Sequence, residues 1–216
     1  MFSLVSLIFL LHIATGRHWH GREYRRDVVR TEGKPELLLD TSLQMSLHLS
    51  EKEIREAVQR LAKEISRDYA GKRPLLLGVL KGAFIFLADL VREIDIPLTV
   101  DFIRAQSYKG STTTGEAVLS MGDVVDVKGQ HVLVVEDIVD TGTTVGCLLN
   151  YLEIGEPASL KLCSLLDKPS RRQTEVKIDY LGFIVPDRFV VGYGTDLDQA
   201  WRNLSGIYAL DGGQDG

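Results

Sequence analysis

Cysteine is scarce. Cys147 and Cys163 are the only two in 216 residues, and neither has a His or Cys neighbour at metal-ligand spacing, which argues against a disulfide framework and against a zinc site. Such thiols suit the reducing cytoplasm, with a single bridge between them as the alternative. Basic charge is also in deficit, 25 Lys and Arg against 30 Asp and Glu. Residues 17–34 hold six of the basic and three of the acidic residues, which leaves 19 against 27 elsewhere and a net charge there of −8. An acidic body of that kind excludes a general nucleic-acid surface. A membrane-spanning run is missing too. The uncharged apolar stretch MFSLVSLIFLLHIATG at residues 1–16 is short for a bilayer. Its positive charges, Arg17, Arg22, Arg25 and Arg26, come after the apolar run, whereas a secretory signal carries them before it. Ala14 and Gly16 supply a small-residue cleavage pattern, which keeps export as the alternative. Residues 1–36 are expected to be an extension, a misassigned start included, with Met45 as another initiator that would trim the first element.

What is present reads as one globular domain, 44% hydrophobic and 25% charged, expected over 37–210 with a polar tail at 211–216. Ser50 and Glu53 form a capping-box pattern, and Ile54, Ala57, Val58, Leu61, Ala62 and Ile65 then recur at helical spacing up to Gly71. Leu75–Leu80 reads as a buried strand, followed by a helical pattern through Leu87, Leu90, Val91 and Ile94. Further strands are expected at Pro97–Ile103, His131–Val135, Ser159–Leu166, Tyr180–Val185, Phe189–Tyr193 and Ile207–Leu210. Helices are expected through Val145, Leu148, Leu149 and Leu152 and, shorter, near Asp196–Leu204. Strands alternating with helices predict an α/β fold, a mostly parallel twisted sheet flanked by helices. Arg104–Gly122 is Gly-, Ser- and Thr-rich, aperiodic and long, and reads as a flexible lid loop or a link.

The chemistry concentrates in VLVVEDIVDTGTT, from Val132 to Thr144. Four aliphatic residues lead to three carboxylates, and a run of Thr and Gly opens a helix. In open α/β sheets ligands bind beyond the carboxyl ends of strands, where the next helix offers unpaired N–H groups and a positive dipole end to an anion. Gly142 allows close backbone approach and the hydroxyls of Thr141, Thr143 and Thr144 add donors, which makes a phosphate cradle. Glu136 and Asp137 are placed to accept from vicinal sugar hydroxyls or to hold a hydrated Mg²⁺, a hard cation that prefers oxygen. A capped strand end, a receiver-type acidic pocket and a haloacid-type phosphatase also put carboxylates here, but none accounts for the Thr-Gly-Thr-Thr run. Gly110–Gly115 has the glycine spacing of a Walker A loop, yet Glu116 and Ala117 stand where Lys and Ser or Thr belong.

This stretch resembles the signature with which type I phosphoribosyltransferases bind phosphoribosyl pyrophosphate (PRPP). Other blocks are similar, in order and spacing, to the hypoxanthine-guanine branch: VLKGAF from Val79, Ser107 with Tyr108, DKPSRR from Asp167, and VPDRFVVGYGTD from Val185. The similarity covers about residues 37–210. It implies the type I phosphoribosyltransferase fold, with a small hood for the base. It also implies a purine-salvage reaction in which N9 of hypoxanthine or guanine displaces pyrophosphate from PRPP, with Mg²⁺ as cofactor, giving IMP or GMP.

The resemblance further implies a role for each matching residue. The 5′-phosphate sits in the cradle of Asp140, Thr141, Gly142, Thr143 and Thr144, although Thr143 stands where some relatives have lysine. Glu136 and Asp137 face the ribose and the metal, and Asp196 is a further metal-side carboxylate. Pyrophosphate falls to Lys81, Gly82 and Arg202, the lysine often preceded by a non-proline cis peptide. Ser107 and Tyr108 belong to a lid that excludes water. The Lys168 ammonium donates to the 6-oxo group, Phe189 stacks on the base, the Val190 main chain reads its edge, and Asp140 exchanges a proton with N7. Arg172 is either a site residue or half of an ion pair, and Arg171 has no assigned role. The implied partners are PRPP and a 6-oxopurine, without nucleic acid or membrane, in a cytoplasmic homodimer or homotetramer. Two alternatives stay open: a xanthine-preferring enzyme, and a PRPP-sensing regulator, which usually adds a winged-helix domain, for which residues 1–36 are short, or a basic face, which the net charge of −8 argues against.

Overall fold

The computed structural model describes residues 44–104, 107–108, 118–119 and 125–211. The extension expected at 1–36 lies outside these residues, as does the polar tail beyond Asp211. Short runs of leucine and valine form the centre of the molecule: β2 (Leu75–Leu80), β6 (His131–Val139) and β7 (Ser159–Asp167). With β3 (Thr99–Arg104) and β8 (Tyr180–Ile184) they make a five-stranded sheet ordered β3-β2-β6-β7-β8, in which every pairing is parallel. The expected α/β architecture holds.

α1 (Glu51–Asp68) leads into β2, while α2 (Phe84–Glu93) and α3 (Thr143–Ile154) are the crossovers from β2 to β3 and from β6 to β7, and the three helices cover both faces. Successive strand side chains point to opposite sides. Leu76, Leu133, Val135 and Leu165 therefore join one core with Ile54, Leu61 and Ile65 of α1 and Phe86 and Leu90 of α2. Leu75, Leu77, Val132, Val134 and Leu162 join another with Val145, Leu148 and Leu152 of α3. The capping box that starts α1 is formed in both directions, Ser50 N to Glu53 Oε2 at 2.8 Å and Glu53 N to Ser50 Oγ at 3.3 Å. Both cysteines are free thiols, and among the described residues no helix is long and apolar enough to cross a membrane.

Several features depart from the sequence reading. Two late strands leave the parallel sheet. β9 (Val190–Val191) and β10 (Ile207–Asp211) form an antiparallel sheet with β1 (Gln44–Leu49), ordered β1-β10-β9, the small hood. β9 is shorter than expected because Gly192, Tyr193 and Gly194 turn the chain with φ of 104°, 48° and 105°. β1 itself was not foreseen, since QMSLHL has no apolar run, and a start at Met45 would remove Gln44 from it. Within the expected lid, β4 (Ser107–Tyr108) pairs antiparallel with β5 (Val118–Leu119), and the residues between them lie outside the described set.

The short helix expected near Asp196–Leu204 does not form. Leu197 and Ala200 bond reciprocally across a two-residue turn, and Asp198, Gln199 and Trp201 have φ of 50°, 69° and 75°. Leu197, Trp201 and Leu204 imitate helical spacing, but left-handed backbone inside the run cannot carry a right-handed helix.

The two-face packing sets an expectation for α3. Leu148→Ala, at a fully covered position, should lower the unfolding free energy by roughly 2–5 kcal/mol. Ile154→Ala, at a position 81% exposed, should change it by no more than about 0.5 kcal/mol. Urea unfolding of the two variants checks the orientation of the helix, and similar losses would contradict it.

Candidate active site

Because β2, β6 and β7 run parallel, they end at one edge of the sheet, where Lys81, Asp140 and Lys168 follow them in sequence. The Lys168 amide donates to the Val139 carbonyl at 2.9 Å, which ties the ends of β6 and β7 together. β6 is longer than the expected His131–Val135, so Glu136 and Asp137 lie inside the strand and not after it. Consecutive strand positions present their side chains to opposite faces. Glu136 lines a cavity of about 160 Å³ against α3, together with Asp140, Thr141, Gly142 and Thr144. Asp137 faces the other way, and its carboxylate packs onto Gly82 so closely that a Cβ there would collide with it. Glycine at 82 is therefore a steric requirement of the buried carboxylate.

Both carboxyls resist ionisation. Burial pushes Glu136 well above its usual range, and the charge of Asp137 adds to this. Burial raises Asp137 to about 6, partly offset by the backbone amides of Asp137 and Ile138 and by the Arg202 guanidinium. Four buried polar atoms have no hydrogen-bond partner among the described residues. Three of them, Glu136 Oε2, Asp140 Oδ1 and Arg202 Nε, belong to expected site residues, the fourth being the Tyr69 hydroxyl. Such atoms are costly unless a ligand satisfies them.

The cradle is built from Asp140 to Thr144. Gly142 starts α3 with φ +81° and no side-chain cap, so the first-turn amides and the positive dipole end suit an anion. A Cβ at 142 would meet the Thr174 carbonyl. That contact reveals a support absent from the sequence reading. The Gln173 and Thr174 amides donate to the Thr141 carbonyl at 2.8 and 3.0 Å, and Arg172 Nη1 donates to the Asp140 carbonyl at 3.2 Å. Arg172 also pairs with Asp167, so its ion-pair reading is the one the structure bears out. The Thr141 and Thr143 hydroxyls lie 3.3 Å apart.

On the Asp137 side, the Leu80–Lys81 peptide is cis. Arg202 donates to the Gly194 carbonyl at 2.6 Å and pairs with Asp196 at 2.7 Å. Lys81 Nζ donates to Gln199 Oε1 at 2.7 Å, and Arg202 Nη2 reaches the same oxygen at 3.5 Å. Gln199 thus joins the two cations expected to bind pyrophosphate, a residue the sequence reading missed by placing it on a helix. Asp137 and Asp196 share this side with Arg202, whereas Glu136 does not. Among the described residues no cluster of three or more His, Cys, Asp or Glu side chains forms a metal cage.

At the other end, Lys168 is buried, and burial lowers its pKa against the opposing charge of Asp140. Arg171 lies between Asp140, at 3.2 Å, and Asp187, at 3.5 Å. The first contact is ionic and too poorly aligned to be a hydrogen bond, which is why Asp140 Oδ1 stays unsatisfied. Phe189 is 47% exposed, an open aromatic face next to the buried Val190 of β9. Ser107 and Tyr108 sit in β4, at the start of the expected lid.

Residues 49–198 match the phosphoribosyl transferase domain family. A hypoxanthine-guanine phosphoribosyltransferase of Streptococcus pneumoniae is 45% identical over 163 residues, 75% of this chain and 91% of that protein. A hypoxanthine phosphoribosyltransferase of Haemophilus influenzae is 44% identical over 163 residues, 74% of this chain and 91% of the relative. A crystal structure of a hypoxanthine-guanine phosphoribosyltransferase from Bacillus anthracis superposes with a TM-score of 0.71 at 42% identity, covering 77% of this chain and 96% of the other.

The buried Asp137 carboxyl has a measurable consequence. With a folded pKa of about 6 against about 3.9 unfolded, it stays protonated in the native chain while the unfolded chain ionises. Stability of the metal-free protein should therefore fall as pH rises from about 4 to 6, by on the order of 3 kcal/mol from this group. Asp137→Asn, which has no charge to bury, should remove that share of the slope in urea unfolding with a chelator present. A slope unchanged by the substitution would exclude Asp137 as its source.

Proposed function

The chain belongs to the hypoxanthine-guanine phosphoribosyltransferase family, and on that premise we propose that it transfers the 5-phosphoribosyl group of PRPP to N9 of hypoxanthine or guanine, giving IMP or GMP and pyrophosphate. It is a phosphoribosyltransferase of purine salvage, which sets aside the regulator alternative. The observation that carries the choice of base is the buried Lys168 ammonium next to Asp140 at the strand edge. A lysine offers only donors, and a 6-oxo group accepts what a 6-amino group cannot.

In this reading the catalytic domain is residues 37–210. The Asp140–Thr144 loop holds the 5′-phosphate through amides and hydroxyls. Lys81, the Gly82 amide and Arg202 hold pyrophosphate and favour its departure by positive charge. Glu136 and Asp137 accept from the ribose hydroxyls and stabilise cationic character at the anomeric carbon. Phe189 stacks on the base, the Val190 main chain bonds its edge, and Asp140 exchanges the N7 proton. The segment carrying Ser107 and Tyr108 closes over the centre, where water would otherwise hydrolyse PRPP. Mg²⁺ fits the Asp137 side, where Asp137 and Asp196 supply hard oxygens and a cation would relieve the buried Asp137 carboxyl, whereas Glu136, expected with them from the sequence, faces the other way. When bound it would neutralise the leaving group. The assembly proposed with this activity is a cytoplasmic homodimer or homotetramer.

The test is to incubate the purified protein with PRPP, Mg²⁺ and each free base and to separate the nucleotides by chromatography. Nucleotide should form from hypoxanthine and guanine and not from adenine, and the xanthine arm decides the preference within the branch. Sites built on one hydrogen bond reject analogues by up to roughly 10⁴ to 10⁵, and less where the donor is a flexible lysine. Lys168→Ala should weaken use of 6-oxopurines far more than PRPP binding. Comparable kcat/KM for adenine and hypoxanthine would overturn the reading.

Asp140→Asn tests the proton exchange separately. The amide preserves geometry, so PRPP affinity should be kept while kcat falls by on the order of 10² to 10⁴. A near-normal kcat would remove Asp140 from that role.

A further inference from the structure

Gln199 occupies an unusual position. It is the second residue of the two-residue turn closed by Leu197 and Ala200, with φ of 69°, a conformation that favours glycine and costs any residue with a Cβ. The backbone around it is pinned: the Gln199 amide donates to Asp196 Oδ2 at 2.8 Å, and Leu197 N to Ala200 O and Ala200 N to Leu197 O close the turn at 3.3 and 2.9 Å. An outlier held by its surroundings points to a use for its side chain. That side chain presents one oxygen to two cations, Lys81 Nζ at 2.7 Å and Arg202 Nη2 at 3.5 Å. Arg202 is otherwise committed to Asp196 and the Gly194 carbonyl, which fixes the guanidinium in place.

We propose that Gln199 is a positioning residue of the pyrophosphate subsite, an internal stand-in whose amide oxygen holds Lys81 and Arg202 together and yields to an oxygen of the incoming pyrophosphate group. The inference rests on the assignment of Lys81 and Arg202 to pyrophosphate given above. Its physical basis is charge. An amide oxygen is neutral overall, so it orients the ammonium without cancelling it. A phosphate oxygen carries formal charge and makes a stronger, charge-assisted bond to the same donors. A carboxylate at 199 would neutralise the cations and compete with the ligand. No side chain at 199 would leave nothing to displace. The neutral acceptor sets the affinity for the pyrophosphate group between those extremes.

The test is calorimetric titration of inorganic pyrophosphate with Mg²⁺ into the full chain and into its Gln199→Glu and Gln199→Gly variants, with IMP as a second ligand and steady-state kinetics alongside. Gln199→Glu should weaken pyrophosphate binding by about tenfold or more and raise KM for PRPP by more than it lowers kcat. Gln199→Gly, which also suits the left-handed turn, should bind pyrophosphate more tightly than the wild type, because nothing is left to displace. IMP affinity should be the same in all three. Pyrophosphate affinity of Gln199→Glu equal to wild type would overturn the inference, as would unchanged or weakened binding by Gln199→Gly, which would mean that the ligand does not displace the Gln199 amide. With an active wild type, either result sinks this inference alone. A wild type that neither forms nucleotide nor binds pyrophosphate sinks the assigned function and this inference with it.

Discussion

A carboxylate buried in the middle of a sheet sets the conditions for everything near it. Asp137 lies in β6, the central strand, where water cannot solvate its charge. Gly82 has to be a glycine because the carboxylate fills the space of a side chain, and Arg202 contributes the nearby positive charge that partly offsets burial. Arg202 in turn is held by Asp196 and the Gly194 carbonyl, at the end of the stretch that leaves the parallel sheet for the hood. The hood, the turn after β2 and the centre of the sheet are joined by one electrostatic problem. A cation brought to this place would relieve the buried carboxyl.

The opposite face works by restraint. Glu136 and the cradle loop face α3, and the loop is stiffened from behind by Arg172, Gln173 and Thr174. A loop that meets a phosphate through backbone amides must keep them in place before the ligand arrives, because ordering them afterwards would spend binding energy. The two faces of one strand thus differ in kind, with the cradle loop on the Glu136 side and Arg202 with Asp196 on the Asp137 side.

Much of this was legible in the sequence. The capping box at Ser50 and Glu53, the leucine and valine runs of β2, β6 and β7, and the cradle from Val132 to Thr144 carry local signals that tertiary contacts reinforce. What stayed hidden has a common cause. β1 is short and half exposed, so no apolar run marks it. The 196–204 segment shows helical spacing while long-range bonds to Lys81 and Gly194 hold it in left-handed turns. Arg172 and Thr174 lie some thirty residues beyond the loop they brace. Local pattern cannot report partners brought in by topology. For the same reason Glu136 and Asp137 look like one pair in sequence and serve two faces in space.

The hood has one more consequence. β1 and β10 pair antiparallel from Gln44 opposite Asp211 inward, so the chain enters and leaves the domain at neighbouring points. A body whose way in and way out are adjacent can be spliced into another polypeptide as a cassette, or have its ends joined and be reopened elsewhere, without rearranging the sheet. The same seam carries β9, whose Val190 borders the exposed face of Phe189. Whatever is fused at this seam adjoins the sheet that carries Val190. The domain's mounting point and its open aromatic face are one piece of structure.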